Sequence, residues 1–131
     1  MADCSGFVYW VYQMVGVDVS NNGSRTTTSI AANKRTMTTM GNIGSSINIS
    51  ALAPGYLVFF NNDEHVGIYV GDGNFVAFNG DTGGAFTIDE NGGCQTRSMV
   101  TNTYWKNAYQ GHYMRLRQEF VDPTKPQHLE A

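Results

Sequence analysis

The beginning of the chain has apolar residues at helical spacing. From Ser5 onward, apolar side chains recur three or four positions apart, which buries one face of a helix. The members of this stripe are Phe7, Val8, Val11, Met14 and Val15. We therefore predict an N-terminal helix, with Cys4 at or just before its first turn.

Two apolar runs in the middle of the chain are typical of neighbouring β-strands. The first covers residues 54–60, the second covers residues 65–76, and a polar turn at residues 61–64 separates them. Both runs are rich in β-branched and aromatic side chains, which favour strands. The second run begins with His65, so we expect this histidine at the mouth of a strand.

Alternation of apolar and polar residues predicts two more strands further along the chain. They cover residues 85–88 and 113–116, and residues 103–110 between them are expected to form a turn or a short helix. A helix followed by such strands indicates an α+β fold, in which the N-terminal helix packs on an antiparallel sheet of about five strands.

A polar stretch dense in Ser, Thr, Asn and Gly lies between the first helix and the strands, at residues 18–50. Asn21-Asn22-Gly23 has the composition of a turn. The hydroxyl-rich residues 25–29 are suited to cap a helix, so we predict a short helix that runs through Ile30 to Met40 and ends at Gly41.

The composition is that of one globular domain with a short tail. The chain has 131 residues, of which 41% are hydrophobic, enough for a single core. We assign residues 1–120 to the domain and residues 121–131 to a linker or tail. A net charge of −3 and a pI near 5.4 argue against nucleic acid or an anionic membrane as the partner. No apolar run is long enough to span a membrane.

Cys4 is a candidate nucleophile because of its place at a helix start. The unpaired N–H groups and the positive end of the helix dipole favour the thiolate, which is the reactive form. The same N–H groups can stabilise an oxyanion. A lone cysteine is more often a buried structural residue, so the catalytic interpretation needs a base, and His65 is the candidate.

The other reactive side chains are assigned no chemistry. Cys4 and Cys94 allow one disulfide at most, and a disulfide would silence Cys4, so we expect both to be free and Cys94 to be a bystander. His112 and His128 are expected at the surface. The carboxylates are scattered and no metal-ligand spacing occurs, so we predict no metal and no cofactor.

Three segments, in this order, resemble the NlpC/P60 cysteine peptidases, papain-like enzymes that cut bacterial cell-wall peptides. They are Asp-Cys-Ser-Gly-Phe from residue 3, Pro-Gly-Tyr-Leu-Val-Phe-Phe from residue 54, and His-Val-Gly-Ile-Tyr-Val-Gly-Asp-Gly from residue 65. Tyr104-Trp105 and residues 113–116 are similar to the closing segment of the family. The resemblance implies a papain-like α+β fold, with Cys4 as nucleophile, His65 as base and peptidoglycan as partner.

The third catalytic position departs from the family pattern. NlpC/P60 enzymes usually place a second histidine in the neighbouring strand, at the position that Ala77 occupies here. If residues 71–73 form a three-residue hairpin loop, Asn79 lies directly opposite His65 on the same face. Its carboxamide oxygen can then accept from the imidazole, and a Cys-His-Asn set is chemically sufficient.

An alternative register remains open. With a two-residue loop of Asp72-Gly73, His65 faces Gly80 and Asn79 points away. We prefer the first register because it puts position 77 on the same face as His65. Asp81 and Glu64 are the alternative candidates for the third residue.

Two functions are consistent with the sequence. The first is a hydrolase that cuts an amide of peptidoglycan, either in the stem peptide or between sugar and peptide as in an N-acetylmuramoyl-L-alanine amidase. The second is a weak or inactive member that serves as a wall-binding or structural module, which Ala77 favours.

We expect the protein to act at the bacterial cell wall. The chain starts without the basic and apolar regions of a secretory signal, so we expect a phage-type lysin released by lysis, or a fragment of a longer protein. The segment that usually precedes the cysteine in the family is not in the sequence. A further wall-binding domain beyond the C-terminal linker is also expected.

Overall fold

The computed structural model describes residues 4–21, 23–78 and 94–117, apart from the side chains of Phe78, Cys94 and Gln95. Three α-helices and six β-strands lie in these ranges, together with a 3₁₀ turn at Ile49–Ala51. In chain order the elements are α1 (Cys4–Met14), α2 (Thr27–Ala31), β1 (Met37–Gly41), β2 (Leu57–Phe60), β3 (His65–Gly71), β4 (Asn74–Phe78), β5 (Cys94–Ser98), α3 (Thr103–Ala108) and β6 (Tyr109–Leu116). None of these helices has the length and apolar character needed to cross a bilayer.

The strands form one antiparallel sheet in the order β1-β6-β2-β3-β4-β5. The predicted α+β arrangement, a helix on an antiparallel sheet, is confirmed, with one strand more than the five expected. The two edge strands, β1 and β5, were not predicted, and β6 is longer than the predicted segment. The strand predicted at residues 85–88 lies outside the described residues.

The predicted helix over residues 30–40 is wrong beyond Ala31. Thr26 caps α2 by accepting from the Ser29 N–H at 3.2 Å. The buried side chain of Asn33 accepts from the Arg35 N–H at 2.8 Å, and such local bonds compete with continued helix. The threonine-rich segment that follows favours a strand, and it pairs with β6 as β1.

The sheet has two faces with different partners. Helices α1 and α2 cover one side, which we call the helix face, and α3 lies on the other side, which we call the aromatic face. Sheet residues of the helix face are Met37, Leu57, Phe59, Val66, Ile68, Met114 and Leu116. Those of the aromatic face are Val58, Phe60, Tyr69, Phe75, Ala77 and Tyr109, packed on Trp105. Burial of each large apolar side chain stabilises the fold by about 1.5–3 kcal/mol.

Helix α1 lies across β3 and β4 and is anchored at its C-terminal end. The buried hydroxyl of Tyr12 donates to the Gly55 carbonyl oxygen, and the Gly55 N–H donates to the Tyr69 carbonyl oxygen at 2.8 Å. The helix ends at Met14, and two residues later Gly16 has a φ of 86°, which is left-handed and suits glycine. The end of α1 is therefore fixed beside the second half of β3.

Candidate active site

Cys4 is the first residue of α1 and is half-buried. Its Sγ lies 3.4 Å from the Oγ1 of Thr27. Thr27 is the first residue of α2 and is buried. This position agrees with the prediction that the thiol belongs to a helix start. The first-turn N–H groups of α1 are oriented toward this end of the helix, where they favour negative charge.

The start of α2 is held against α1 by a second contact. The guanidinium carbon of Arg25 lies 4.7 Å from the centre of the Tyr9 ring. Such a cation–π contact at an exposed site is worth about 0.5–1 kcal/mol. Together with the contact between Cys4 and Thr27, it fixes α2 beside the thiol.

His65 is the first residue of β3 and is half-buried. The centre of its ring lies 5.0 Å from that of Trp105, with 30° between the ring planes. The rings of Phe60 and Phe75 lie at 5.8 Å and 6.5 Å. The imidazole therefore packs on the aromatic face.

The two residues that the sequence paired have different neighbours. Cys4 packs against the helix face, and its Sγ lies within hydrogen-bonding reach of the Thr27 hydroxyl. The ring of His65 contacts aromatic side chains on the other side of the sheet. Both residues belong to elements that meet at β3, and direct pairing of the thiol with the imidazole stays a prediction.

The register of β3 and β4 bears on the third position. Ile68 pairs with Val76 and Tyr69 pairs with Phe75, as in the preferred register. The loop differs from the prediction because Gly71 pairs with Asn74 and a bulge lies between Tyr69 and Gly71. The preferred strand register is therefore present at Ile68 and Tyr69, but the loop has only two residues, Asp72 and Gly73.

The candidates for the third residue are mostly untested. Ala77 is fully buried and lies on the aromatic face, as His65 does. Asn79, Gly80 and Asp81 lie outside the described residues. Glu64 is exposed, and its N–H donates to the Phe60 carbonyl oxygen at 3.1 Å.

The prediction that His112 lies at the surface is wrong. Its side chain is 8% exposed, its Nδ1 lies 2.7 Å from Asp63 Oδ1, and its ring stacks on Phe59 at 4.5 Å. A usable signal was present, because Met114 and Leu116 point inward and a strand repeats every two residues. Counting back from them puts position 112 inside as well. His128 lies outside the described residues.

The remaining predictions for the site concern Cys94 and metal binding. Cys94 begins β5 and pairs with Phe78, but its side chain is outside what the structure describes. Among the described side chains, no three His, Cys, Asp or Glu residues come together as metal ligands would.

Comparison with known proteins gives a consistent result. The family model described as "NlpC/P60 family" matches residues 1–114. The peptidoglycan DL-endopeptidase CwlO of Bacillus licheniformis is 33% identical over 117 residues, which are 87% of this chain and 21% of that protein. The probable endopeptidase NlpC homolog of Haemophilus influenzae is 30% identical over 108 residues, which are 82% of this chain and 45% of that protein.

A solved structure has the same fold. The crystal structure of an NlpC/P60 family protein from Bacillus cereus superposes with a TM-score of 0.52 at 23% identity, over 84% of this chain and 30% of that one. The chain thus spans less than half the length of each of these three proteins.

Proposed function

Because the chain belongs to the NlpC/P60 family, we propose that it is a cysteine-dependent hydrolase that cleaves an amide bond of bacterial peptidoglycan. The observation that carries the proposal is the position of Cys4 on the first turn of α1, half-buried and beside a hydroxyl group. Relatives named as endopeptidases support it. The thiol is the nucleophile that an amide hydrolase of this kind requires.

In the proposed mechanism, His65 takes the proton of the Cys4 thiol and the thiolate attacks the amide carbonyl carbon. The first-turn N–H groups of α1 stabilise the oxyanion that forms. His65 then donates the proton to the leaving amine, and an acyl-enzyme remains on the sulfur. Water, deprotonated by the imidazole, attacks the thioester and releases the acid.

Contacts at the C-terminal end of α1 support the proposal that the Cys4 thiol and the His65 imidazole lie close together. Tyr12 is held beside Tyr69 through Gly55. Cys4 precedes Tyr12 by about 12 Å of helix at 1.5 Å per residue, and His65 precedes Tyr69 by about 13 Å of strand at 3.3 Å per residue. If α1 runs in the same direction as β3, the Cys4 thiol and the His65 imidazole lie at the same end of the strand. The proposed mechanism requires the imidazole to leave its contact with Trp105 and approach Cys4.

Asn79 is our proposed third residue. The pairs Ile68–Val76 and Tyr69–Phe75 support this choice, because they have the register on which the prediction of Asn79 was based. A carboxamide oxygen there orients the imidazole and selects its tautomer. Asp81 and Glu64 remain the alternatives.

Mass analysis of peptidoglycan fragments tests the proposal and names the bond. Purified sacculi digested to soluble fragments are incubated with the protein, and products are expected as pairs whose masses add to that of the substrate plus one water. An endopeptidase leaves a shortened stem on the sugar, whereas an amidase releases the whole stem. If no fragment of any stem type is cut, the hydrolase proposal fails.

Three variants assign the chemistry. Cys4→Ala and His65→Ala should each abolish the new products while the circular dichroism spectrum stays that of the wild type. Cys94→Ala is the matched control and should keep full activity. Turnover at the wild-type rate in Cys4→Ala would mean a different nucleophile.

A wall-binding module without activity is the second candidate, and the buried Ala77 favours it. An apolar side chain there cannot orient an imidazole as the usual histidine does. In that case the protein should sediment with intact sacculi and yield no cleavage products. Either function places the protein at the bacterial cell wall, as a phage-type lysin or as part of a longer protein with a further wall-binding domain.

A further inference from the structure

The turn between β2 and β3 has an uncommon backbone. Asn61, Asn62 and Asp63 have φ values of 54°, 56° and 65°, so three consecutive residues other than glycine are left-handed. Asn and Asp tolerate this region better than other side chains do. Such conformations persist only where neighbouring groups fix them, and they are concentrated at functional sites.

Bonds to one strand and its preceding helix hold the first half of this turn. The Asn61 N–H donates to the Ala108 carbonyl oxygen at 3.0 Å, and the Asn61 side-chain amide donates to the Tyr104 hydroxyl at 3.1 Å. The Asn62 N–H donates to Gln110 Oε1 at 2.6 Å. The turn is thereby attached to α3 and to the start of β6.

The second half of the turn is held by a side-chain pair that the proposed chemistry leaves unused. His112 Nδ1 donates to Asp63 Oδ1 at 2.7 Å, and the two side chains are only 8% and 21% exposed. The His112 ring lies nearly parallel to that of Phe59, at 17°, so the pair sits on the helix face. That is the side from which Cys4 approaches.

The turn determines where β3 begins. The Glu64 N–H donates to the Phe60 carbonyl oxygen at 3.1 Å, and Phe60 pairs with His65 to close the hairpin. Asp63 is therefore two residues from the proposed base, and we expect a change in its backbone angles to shift the direction of the His65 Cα–Cβ bond.

We propose that Asp63 and His112 are positioning residues, which fix the left-handed turn and thereby set the backbone position from which the His65 imidazole reaches Cys4. The inference rests on the proposed function, since it concerns the base of that reaction. Neither residue contacts the substrate or the reacting atoms. Their effect should appear in the turnover number and in thiol reactivity, and not in substrate affinity.

Four variants at the pair separate the hydrogen bond from the backbone conformation. His112→Phe keeps a ring on Phe59 but removes the donor, and Asp63→Gly relieves the left-handed conformation but removes the acceptor. We expect each to lower kcat by about 10- to 100-fold, as losses of supporting partners do elsewhere, with KM nearly unchanged. His112→Asn keeps an N–H donor in its Nδ2 amide, and Asp63→Asn keeps an acceptor at Oδ1, so these two variants should lose less. Iodoacetamide labelling of Cys4 should slow in the same order.

The other turn of β3 offers a matched control. Asp72 is exposed and, like Asp63, is an aspartate with a left-handed backbone, with a φ of 55°. Asp72→Gly should leave kcat and the labelling rate at the wild-type values. The double variant Asp63→Gly/His112→Phe should be no slower than the slower single variant, because the two residues act as one unit.

The outcomes distinguish this inference from the proposed function. If His65→Ala is inactive while Asp63→Gly and His112→Phe keep wild-type kcat, the positioning role is wrong and the hydrolase proposal stands. If His65→Ala itself keeps wild-type kcat, His65 is not the base and the proposed mechanism fails. Should His112→Phe not fold, Gln110→Met removes another bond to the turn from a half-exposed position, and unchanged kcat there would overturn the inference.

Discussion

The two faces of the sheet hold the two proposed catalytic groups by different kinds of packing. On the helix face, mostly aliphatic side chains lie under α1 and α2, and Cys4 is placed by the position of a whole helix. On the aromatic face, Phe60 has the rings of Phe75 and Trp105 at 4.6 Å and 5.0 Å, and His65 is placed by contacts between rings. Aliphatic packing is non-directional, whereas ring contacts prefer particular angles.

This difference means that nucleophile and base can be disturbed separately. A change in the aliphatic core should alter stability with little effect on the imidazole. A change among the rings should alter stability and the base together. The following variants test that separation.

The largest effect is expected for Trp105→Ala. Its side chain is 2% exposed, and removing such a buried tryptophan costs about 3–5 kcal/mol. Loss of the ring beside His65 should also lower peptidoglycan turnover. Urea unfolding and mass analysis of products measure the two effects. Ile30→Ala is the helix-face control, and it should cost about 2–5 kcal/mol while the folded fraction keeps its turnover. Equal losses of turnover in both variants would contradict the separation.

A smaller effect is expected when the usual histidine of the family is placed at position 77. Ala77 is fully buried, and a Cβ on Gly67 would lie 3.2 Å from the Ala77 Cβ, so little room remains. Ala77→His should therefore destabilise the protein by about 1–3 kcal/mol through overpacking, seen as a lower Tm. An unchanged Tm would show that the aromatic face has room for a second imidazole.

Each face contains a tyrosine whose alkaline titration should be visible. Burial raises the pKa of Tyr12 above 10.0, and burial, followed by the charge of Tyr113, raises that of Tyr109. Their neutral forms stabilise the fold fully below pH 10, and this stability is lost as the pH rises above that value. Tyr12→Phe removes the donor to Gly55 and should cost about 1 kcal/mol at neutral pH. It should also make the alkaline loss of stability shallower. Tyr109→Phe, on the aromatic face, should also make the alkaline loss of stability shallower. If neither variant changes the slope of stability against pH above pH 10, the raised pKa values of the two tyrosines are wrong.

The smallest effect is expected outside both faces, at Asp18. Hydrogen bonds from the Ser20 side chain, and then from its backbone N–H, lower the Asp18 pKa. The carboxylate therefore stabilises the fold above its ordinary pKa, and this contribution is lost as the pH falls through the lowered value. Asp18→Asn should change the free energy of unfolding by no more than about 0.5 kcal/mol. Urea titrations at neutral and acidic pH should show the difference only at the higher pH.

Local patterns were sufficient to predict the centre of the molecule. The stripe that begins at Phe7 gave α1, and the apolar runs around the polar turn gave β2 and β3. Helical and strand periods are properties of neighbouring residues, so they can be read without knowing the rest of the fold. The same holds for Cys4 at a helix start and His65 at a strand start.

The elements that were missed depend on distant residues. Strand β1 exists because Met37 pairs with Leu116, and the helix predicted in its place is stopped by the buried amide of Asn33. The contact of His112 with Asp63 joins β6 to the turn between β2 and β3, although the inward direction of position 112 follows from the strand period. Neither the contact of Cys4 with Thr27 nor that of His65 with Trp105 follows from local periodicity, because each joins elements far apart in sequence.

The position of β6 in the sheet has a consequence for how the protein is made. This strand follows the five other described strands in the chain, yet it lies between β1 and β2. A nascent chain leaving the ribosome thus exposes Cys4 and His65 well before it contains Gln110 and His112, which hold the turn ahead of His65. Until β6 inserts, β1 has no neighbour in the sheet. The proposed hydrolase would therefore acquire its activity late in synthesis, when the sheet closes.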